Sequence, residues 1–428
     1  LDGFGSLAVN GWNGNNLTSA DALMDIALDT SEAGKVKVTA TQKNASDALA
    51  GIAMPNGMNA IWGAGLNDTA STNAGIRFLS RAADDTFLDR NDAVRTINGA
   101  AQMAVAAGVQ STTITAAQMP QRAINNHLSL TGNAAQKGMR LHEEGFDAWG
   151  EVMYNNTHAS GFKAGSLSSG YNTDMGGFVV GGDYTFADNG NGKVRLGGAF
   201  NLGTGESSSR GDFNHTKNDF DFWGINLYGG WNKNDLNVIA NIGYSRSSNE
   251  LNQTLPTGMQ MGNLKADVDS SVLSLGLKGE YRLKTRAVDI IPHIGIRYLN
   301  VTMDGFTTKN NDGNLFHTEK DRQNVWQFPV GVAFTKDYRA ENGWTIKPKL
   351  DLSIVPSTGD VDATTRIRVS GISALDTITS RVMDRTSFDG TLGVDMQKGN
   401  MTLGLRYGLQ KSSNQTDQAG MATFSYKF

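Results

Sequence analysis

The feature that most constrains this chain is a regular alternation of apolar and polar residues that begins at Phe146 and continues to the last residue, Phe428. In the first stretch, Phe146 and Val152 share one face of an extended chain, and Asp147 and Glu151 share the other face, because successive strand residues point to opposite sides. Each such stretch therefore predicts a β-strand with one apolar and one polar face.

Stretches of this kind recur about twelve times, each about ten residues long, which is the pattern of strands in a transmembrane β-barrel. They lie at 146–155, 178–186, 193–202, 222–231, 236–245, 272–283, 288–300, 325–335, 344–354, 388–397, 401–410 and 420–428. A water-soluble β-sandwich also has alternating strands, since its apolar faces form a buried core. The alternation by itself therefore leaves both folds open.

The lengths of the connections favour the membrane barrel. Long and short connections alternate along the chain, and outer-membrane barrels have short turns at one end and long loops at the other. Long connections are predicted after Asn156, Gly205, Asn249, Gly305 and Pro356, and tight turns at 188–192, 233–234, 284–286, 339–343 and 398–400.

Aromatic residues favour the same fold. They gather near strand ends, as at Trp223 with Trp231, where membrane barrels carry interfacial aromatic girdles. The chain also ends on an alternating strand that contains Phe424, Tyr426 and Phe428, and this pattern resembles the insertion signal of outer-membrane barrels. A sheet in hydrocarbon has to close, because each unpaired edge N–H or C=O costs several kcal/mol.

The sequence therefore predicts an all-β fold, a closed antiparallel transmembrane barrel over 146–428, whose polar strand faces line the lumen. The charged residues expected there are Asp147, Glu151, Asp183, Lys193, Arg195, Lys278, Glu280, Arg282, Lys347, Lys349 and Asp351. A mixed-charge network that holds water and a plug is preferred over an enzymatic site for this set.

Composition excludes several other classes of function. The chain has no cysteine, so it has neither a disulfide framework nor a thiolate metal site. Its net charge of −4 gives no basic footprint for nucleic acid. The six histidines are scattered without the spacing of a zinc site, and no metal or other cofactor is expected. The first residue, Leu1, suggests a fragment or a mature product.

The region before the barrel predicts helices at 75–88, 92–107 and 120–130, with Pro120 as the first residue of the last helix. That last helix carries polar residues nearly all round, namely Arg122, Asn125, Asn126 and His127. A helix of this kind either faces water or lies in another polar surrounding. We expect it to thread the polar lumen as a plug.

A polar helix, about twelve strands with long outer loops and a C-terminal Phe together resemble the translocator domain of type Va autotransporters, over about residues 115 to 428. The resemblance implies a monomeric barrel in the Gram-negative outer membrane, surrounded by lipid and inserted with help from the outer-membrane barrel assembly machinery. It also implies that the barrel delivers its own N-terminal passenger to the cell surface.

In such a protein, residues 1–72 would be the last part of the passenger and residues 73–140 a helical linker with the pore helix. The alternating residues 34–39 fit the end of a β-solenoid stem, whereas residues 22–28 are predicted to be helical.

The pair Asn125-Asn126 resembles the cleavage site of the serine protease autotransporters of Enterobacteriaceae, which are cut between two Asn in the pore helix. The resemblance implies that the Asn125 side chain attacks its own backbone carbonyl, with Asp147, Glu151 or Asp183 as a conceivable acid or base. The surrounding family motif is not reproduced, and the plain alternative is a solvated Asn pair in a helix.

Two rival functions remain open. One is a general diffusion channel, which would have no reason to carry a helical segment upstream of its first strand. The other is a barrel-embedded protease or lipase that uses loop residues such as Asp304, Asp312 and His317, although no Gly-x-Ser-x-Gly elbow is present.

Overall fold

The computed structural model describes residues 24–29, 31, 37–42, 71–83, 90–131, 144–164, 167–188, 190–212, 215–373 and 375–428. Its main element is one antiparallel β-sheet that closes on itself. The last strand pairs with the first, from Lys427 opposite Asp147 to Gln415 opposite Ala159. Because closure leaves the sheet without an edge, the prediction of a closed all-β barrel is confirmed.

The barrel wall has twelve strands. Six of them are continuous in the first half: β1 Gly145–Ala164, β2 Leu167–Thr185, β3 Lys193–Gly211, β4 Thr216–Lys233, β5 Leu236–Gln253 and β6 Leu264–Tyr281. Four are interrupted: β7 Asp289–Met303 and Phe306–Asn310, β8 Gly313–Thr318, Asp321–Gln327 and Val330–Thr335, β9 Thr345–Gly359 and Asp362–Val369, and β10 Leu375–Arg381 and Thr386–Lys398. The last two are β11 Met401–Ser412 and β12 Gln415–Lys427.

Both ends of the barrel chain meet at one rim. The N–H of Phe428 donates to the carbonyl of Phe146 at 3.0 Å, next to the start of β1. This rim also carries the short connections at 186–192, 234–235, 282–288, 340–344 and 399–400, as predicted. Before the connection at 340–344, the short segment Tyr338–Arg339 pairs with β9 and ends β8. We call it the short-turn end, and we call the opposite rim the extended end.

Four of the five predicted long connections at the extended end are wrong, because the strands continue where loops were expected: β1 runs on to Ala164, β3 to Gly211, β7 to Asn310 and β9 to Val369. The physical reason is that the alternation persists there with its sense reversed, so polar residues point outward and apolar residues point inward. After Asn249, β5 continues to Gln253 and a connection of ten residues, 254–263, follows as predicted.

Strand β6 shows how the polarity of the outward face changes from one end of a strand to the other. Its outward residues start with Lys265 and Asp267 and end with Leu275 and Leu277, whereas its inward residues run from Leu264 to Glu280. A strand of this length spans about 60 Å at about 3.3 Å per residue, or roughly 45 Å in height once it tilts by about 40°, against an apolar band of about 25 Å. The wall is therefore a membrane-type barrel at the short-turn end and a water-soluble type of barrel, with an apolar interior, at the extended end.

Four helices precede the wall: α1 Ala74–Ala83, α2 Arg90–Ala101, α3 Met103–Ala106 and α4 Val109–Leu128. None of the described helices is both long and apolar enough to cross a membrane. Farther upstream, Met24–Asp29 and Lys37–Gln42 form an antiparallel hairpin. The helix predicted for residues 22–28 is therefore wrong over its described part. Of the predicted stem segment 34–39, residues 37–39 lie in the second strand of this pair and residues 34–36 lie outside the described residues.

The start predicted for the last helix is also wrong, because Pro120 lies inside α4 rather than at its first residue. Proline has no N–H, so α4 lacks the hydrogen bond that residue 120 would have donated to Ala116. The β-branched residues before Pro120 have low helix propensity, and they are helical here because the barrel encloses them on all sides.

Candidate functional site

The candidate functional site is the lumen with α4 inside it. Helix α4 contacts strands β2 to β7 along its length. Its N-cap residue is Gly108, whose φ of +70° places it in the left-handed region. A Cβ there would lie 2.8 Å from the Tyr171 ring, so glycine is required on both counts. Gly108 therefore allows the chain to turn from α3 into the lumen.

Near the end of α4, a buried charge cluster fixes His127. Its Nε2 lies 2.7 Å from Asp183 Oδ2, and its ring stacks on Trp149 at 5.0 Å. Arg195 bridges the two carboxylates of the cluster, with its Nη2 2.9 Å from Asp147 Oδ2 and its Nε 3.1 Å from Asp183 Oδ1. The side chains of this Arg195 cluster come from three strands and α4, so they hold the helix to the wall.

A second cluster holds the residues that follow α4. Glu280 accepts hydrogen bonds from the Ser129 hydroxyl at 2.7 Å and from the Leu130 N–H at 2.8 Å. Arg282 donates to the Leu130 carbonyl at 2.9 Å, and Lys349 donates to the Thr131 carbonyl at 3.3 Å. Cations are favourable beside the carbonyls at a helix C-terminus, so this arrangement stabilises the exit of the chain from the lumen.

A third cluster joins side chains of β1, β9, β10 and β11 on the inner face of the wall. The Arg406 guanidinium lies 3.1 Å from Glu151 Oε2 and 2.9 Å from Asp395 Oδ1, and Lys349 lies 2.5 Å from the other oxygen of Asp395. All these groups are buried, so each charge needs its partner to offset the loss of water.

Beside α4 the lumen retains a polar cavity of about 140 Å³. Both Asn125 and Asn126 border it, together with the carboxylates of Asp351 and Asp389 and the guanidinium of Arg122. The Oδ1 atom of Asn125 is buried without a hydrogen-bond partner. The helix therefore fills most of the lumen but leaves water-sized space next to the Asn pair.

The structure places the predicted lumen residues on the inner wall, though in different surroundings. Asp147, Glu151 and Asp183 are engaged by Arg195 and Arg406 and do not border the cavity beside Asn125. The carboxylates that do border it are on β9 and β10. Lys193 lies near the short-turn end and is half-buried, and Lys347 is buried on the inner face.

Sequence reasoning missed several residues of these clusters, among them Arg406, Asp395 and Asn237. Asn237 donates from its amide to the Leu128 carbonyl at 3.1 Å and to Glu280 at 3.0 Å. The sequence does contain a signal for them, because each lies on a predicted strand at a position whose side chain points into the lumen.

The residues of the rival hydrolase are not brought together. Asp304 pairs with Lys320 at 2.7 Å, Asp312 lies 3.8 Å from Arg77, and His317 lies 3.3 Å from Thr307. Within the described ranges no group of three His, Asp or Glu side chains is placed to hold a metal ion.

The C-terminal aromatics face outward at the short-turn end. Phe424, Tyr426 and Phe428 are exposed, Phe428 with 73% of its surface. The Phe428 ring packs against Tyr426 at 5.0 Å and Phe146 at 6.2 Å, across the seam where the barrel closes.

Comparisons with known proteins point the same way. The family model described as Autotransporter beta-domain matches residues 148–408. No curated protein matches the sequence. Among solved structures, the translocator domain of autotransporter NalP from Neisseria meningitidis is 16% identical with a TM-score of 0.53, over 76% of this chain and 99% of that one. The transport unit of autotransporter AIDA-I from Escherichia coli is 14% identical with a TM-score of 0.51, over 74% and 99%. The beta domain of the Bordetella autotransporter Brka is 13% identical with a TM-score of 0.51, over 66% and 100%.

Proposed function

This chain belongs to the autotransporter β-domain family, and on that premise we propose that α4 is the segment left in the lumen after the upstream chain has crossed to the cell surface. The barrel is the translocator domain of a Gram-negative outer-membrane protein, and the role of the family is delivery of an N-terminal passenger to the surface. Translocator domains of this family are not themselves enzymes.

The observation that carries the proposal is the direction of the chain through the lumen. The short-turn end, which holds both barrel termini, corresponds to the periplasmic side of outer-membrane barrels. The chain leaves α4 at that end, where Leu130 and Thr131 contact the inner wall, while α1 lies at the other end. A chain that runs from outside to inside through the pore has the geometry of a passenger that has already been exported.

In this proposal residues 1–72 are the last part of the passenger, residues 73–140 are the linker and pore helix, and residues 146–428 are the translocator. The barrel is a monomer that contacts outer-membrane lipid through its apolar outer band. The barrel assembly machinery recognises the outward aromatics Phe424, Tyr426 and Phe428. Their position at the closing seam supports this role.

Surface labelling tests the proposal. An epitope fused before Leu1 should be labelled on intact cells. Phe428→Asp should reduce that labelling roughly tenfold or more, because it removes an aromatic residue of the interfacial girdle that the assembly machinery is proposed to recognise. The control Phe428→Tyr keeps the aromatic ring and should label normally. Labelling that appears only after the cells are permeabilised would contradict export.

The Asn pair carries a second, finer proposal, which is a single cut of α4 within the lumen. The Asn125 Nδ2 attacks its own carbonyl carbon, the peptide bond to Asn126 breaks, and the displaced proton moves to the new amino group of Asn126. Asn125 becomes a C-terminal succinimide. The observation that favours this cut is that Asn125 borders a polar cavity. The carboxylates of Asp351 and Asp389 border the same cavity and would serve as the bases.

Cleavage is tested by N-terminal sequencing of the barrel recovered from outer membranes. The wild-type fragment should begin at Asn126, whereas Asn125→Asp should leave a full-length chain, because it replaces the attacking amide nitrogen. Asn91→Asp, on the exposed face of α2, is the matched control and should be cut normally. Identical fragments from all three proteins would rule out self-cleavage.

A further inference from the structure

The extended end of the barrel encloses an apolar chamber that the translocation pore does not explain. Its wall is formed by inward residues of β5 to β10 and by the connection 254–263 between β5 and β6, and α1 to α3 fill it. The buried wall residues are Leu251, Leu255, Met259, Met261, Leu264, Ala266, Val268, Met303, Phe306, Leu315, Phe316, Ile367, Val369 and Ile378. We call this space the outer chamber. Its lining is that of a protein core and not that of a water-filled pore.

Helix α1 is fitted closely into the outer chamber. Phe78 is fully buried and meets Phe316 edge to face at 5.6 Å. A Cβ on Gly75 would lie 2.4 Å from the Leu315 carbonyl oxygen, so only glycine allows this approach. The Asn73 amide donates to the Ser370 carbonyl at 2.6 Å and fixes the helix start to the wall.

Helices α2 and α3 extend the contact. Ile97 and Met103 are fully buried in the same core. The Ser380 hydroxyl donates to the side chain of Gln102 at 2.6 Å, and the Ser207 hydroxyl donates to the Ala107 carbonyl at 2.8 Å. The wall therefore pairs with some of the polar groups of the residues that flank α3, as well as burying apolar side chains of the helices.

The outer chamber adds a second hold to the one that the lumen exerts on α4. The lumen contacts of α4 combine hydrogen bonds and ion pairs near its C-terminus with apolar packing of side chains such as Ile124 against the wall. The chamber contacts are mainly apolar, so separation exposes Phe78, Leu79, Ile97 and Met103 to water. The chamber is therefore a further non-covalent hold on the upstream chain, separate from α4.

We propose that α1 to α3, residues 74–83, 90–101 and 103–106, are a surface anchor that keeps the upstream chain on the cell even when the covalent link to the barrel is cut. The inference rests on the proposed export of residues 1–72. It gives the outer chamber a function of its own: retention of the passenger without a peptide bond to the barrel.

A cut made after folding tests the anchor directly. A protease recognition sequence is inserted between Lys137 and Gly138 in the full chain, and outer membranes that carry an epitope before Leu1 are treated with the matching protease. After washing, the wild-type N-terminal fragment should remain in the membrane pellet. The double variant Phe78→Asp/Ile97→Asp should release it at least roughly tenfold more, because two charges cannot remain in the apolar core.

The control Arg77→Ala changes an exposed residue next to Phe78 and should retain the fragment as the wild type does. Labelling of intact cells before the cut reports export separately, so a defect in export is not mistaken for loss of the anchor. If the double Asp variant is not displayed, Phe78→Ala/Ile97→Ala replaces it, and partial release is then expected. Release of the wild-type fragment, or full retention of the core variants, would overturn the proposal.

Discussion

Deletion of residues 1–140 is expected to convert a poorly conducting barrel into an open pore in a planar lipid bilayer. Helix α4 occupies the lumen and leaves a cavity of about 140 Å³ beside the Asn pair. Without the helix, the lumen of a twelve-stranded wall is wider than the side-chain-filled interior of an eight-stranded barrel. Single-channel conductance should rise by roughly tenfold or more, since a continuous water path replaces separate cavities.

The matched control is deletion of residues 1–72, which leaves α1 to α4 in place and should conduct like the full chain. The comparison also separates a translocator from a general diffusion channel. If the full chain conducted as well as the barrel alone, the plug would be absent in the membrane and a channel function would be favoured instead.

The second large effect is expected from a charge placed on the lipid-facing half of β6. Leu275→Arg should lower the free energy of unfolding by about 2–4 kcal/mol, because the outward residues at this height contact hydrocarbon. Lys265→Leu alters the same face of the same strand in its polar half and should change stability by less than about 0.5 kcal/mol. Equilibrium unfolding in urea with lipid vesicles measures both values.

The pair of substitutions tests where the membrane ends along the wall. A large loss of stability for Leu275→Arg alone would place the boundary between these two positions of β6. Equal losses for both variants would contradict the reversal of polarity along the strand.

The sequence predicts the barrel because successive residues of a strand point to opposite faces. Each residue can therefore be assigned to a face without knowledge of the partner strand. Leu277 and Glu280 were separated in this way, and the structure places them outward and inward. The same rule failed at the extended end, since an outward face was expected to be apolar. On β4 the outward residues become Lys217, Asp219 and Asp221, and this polar outward face resembles a loop in sequence although the strand continues.

The pairing of charges in the lumen could not be predicted, because it depends on the register between strands that are far apart in sequence. Asp147 and Arg195 are both inward by parity, but their contact requires the alignment of β1, β2 and β3. The partner of His127 depends in addition on how α4 is rotated in the lumen. Local rules also misplaced Pro120, since burial inside the wall outweighs the hydrogen bond that it removes.

The outer chamber also bears on the energetics of the proposed export, because its apolar contacts form at one end of the lumen only. Burial of a side chain such as Phe78, Leu79, Ile97 or Met103 is worth about 1.5–3 kcal/mol, and this gain is reached only after α1 to α3 have emerged from the lumen. A chain that slides back toward the periplasm has to expose those side chains again. In the proposed export, the chamber therefore leaves outward diffusion of the chain unopposed and makes its return toward the periplasm unfavourable in free energy.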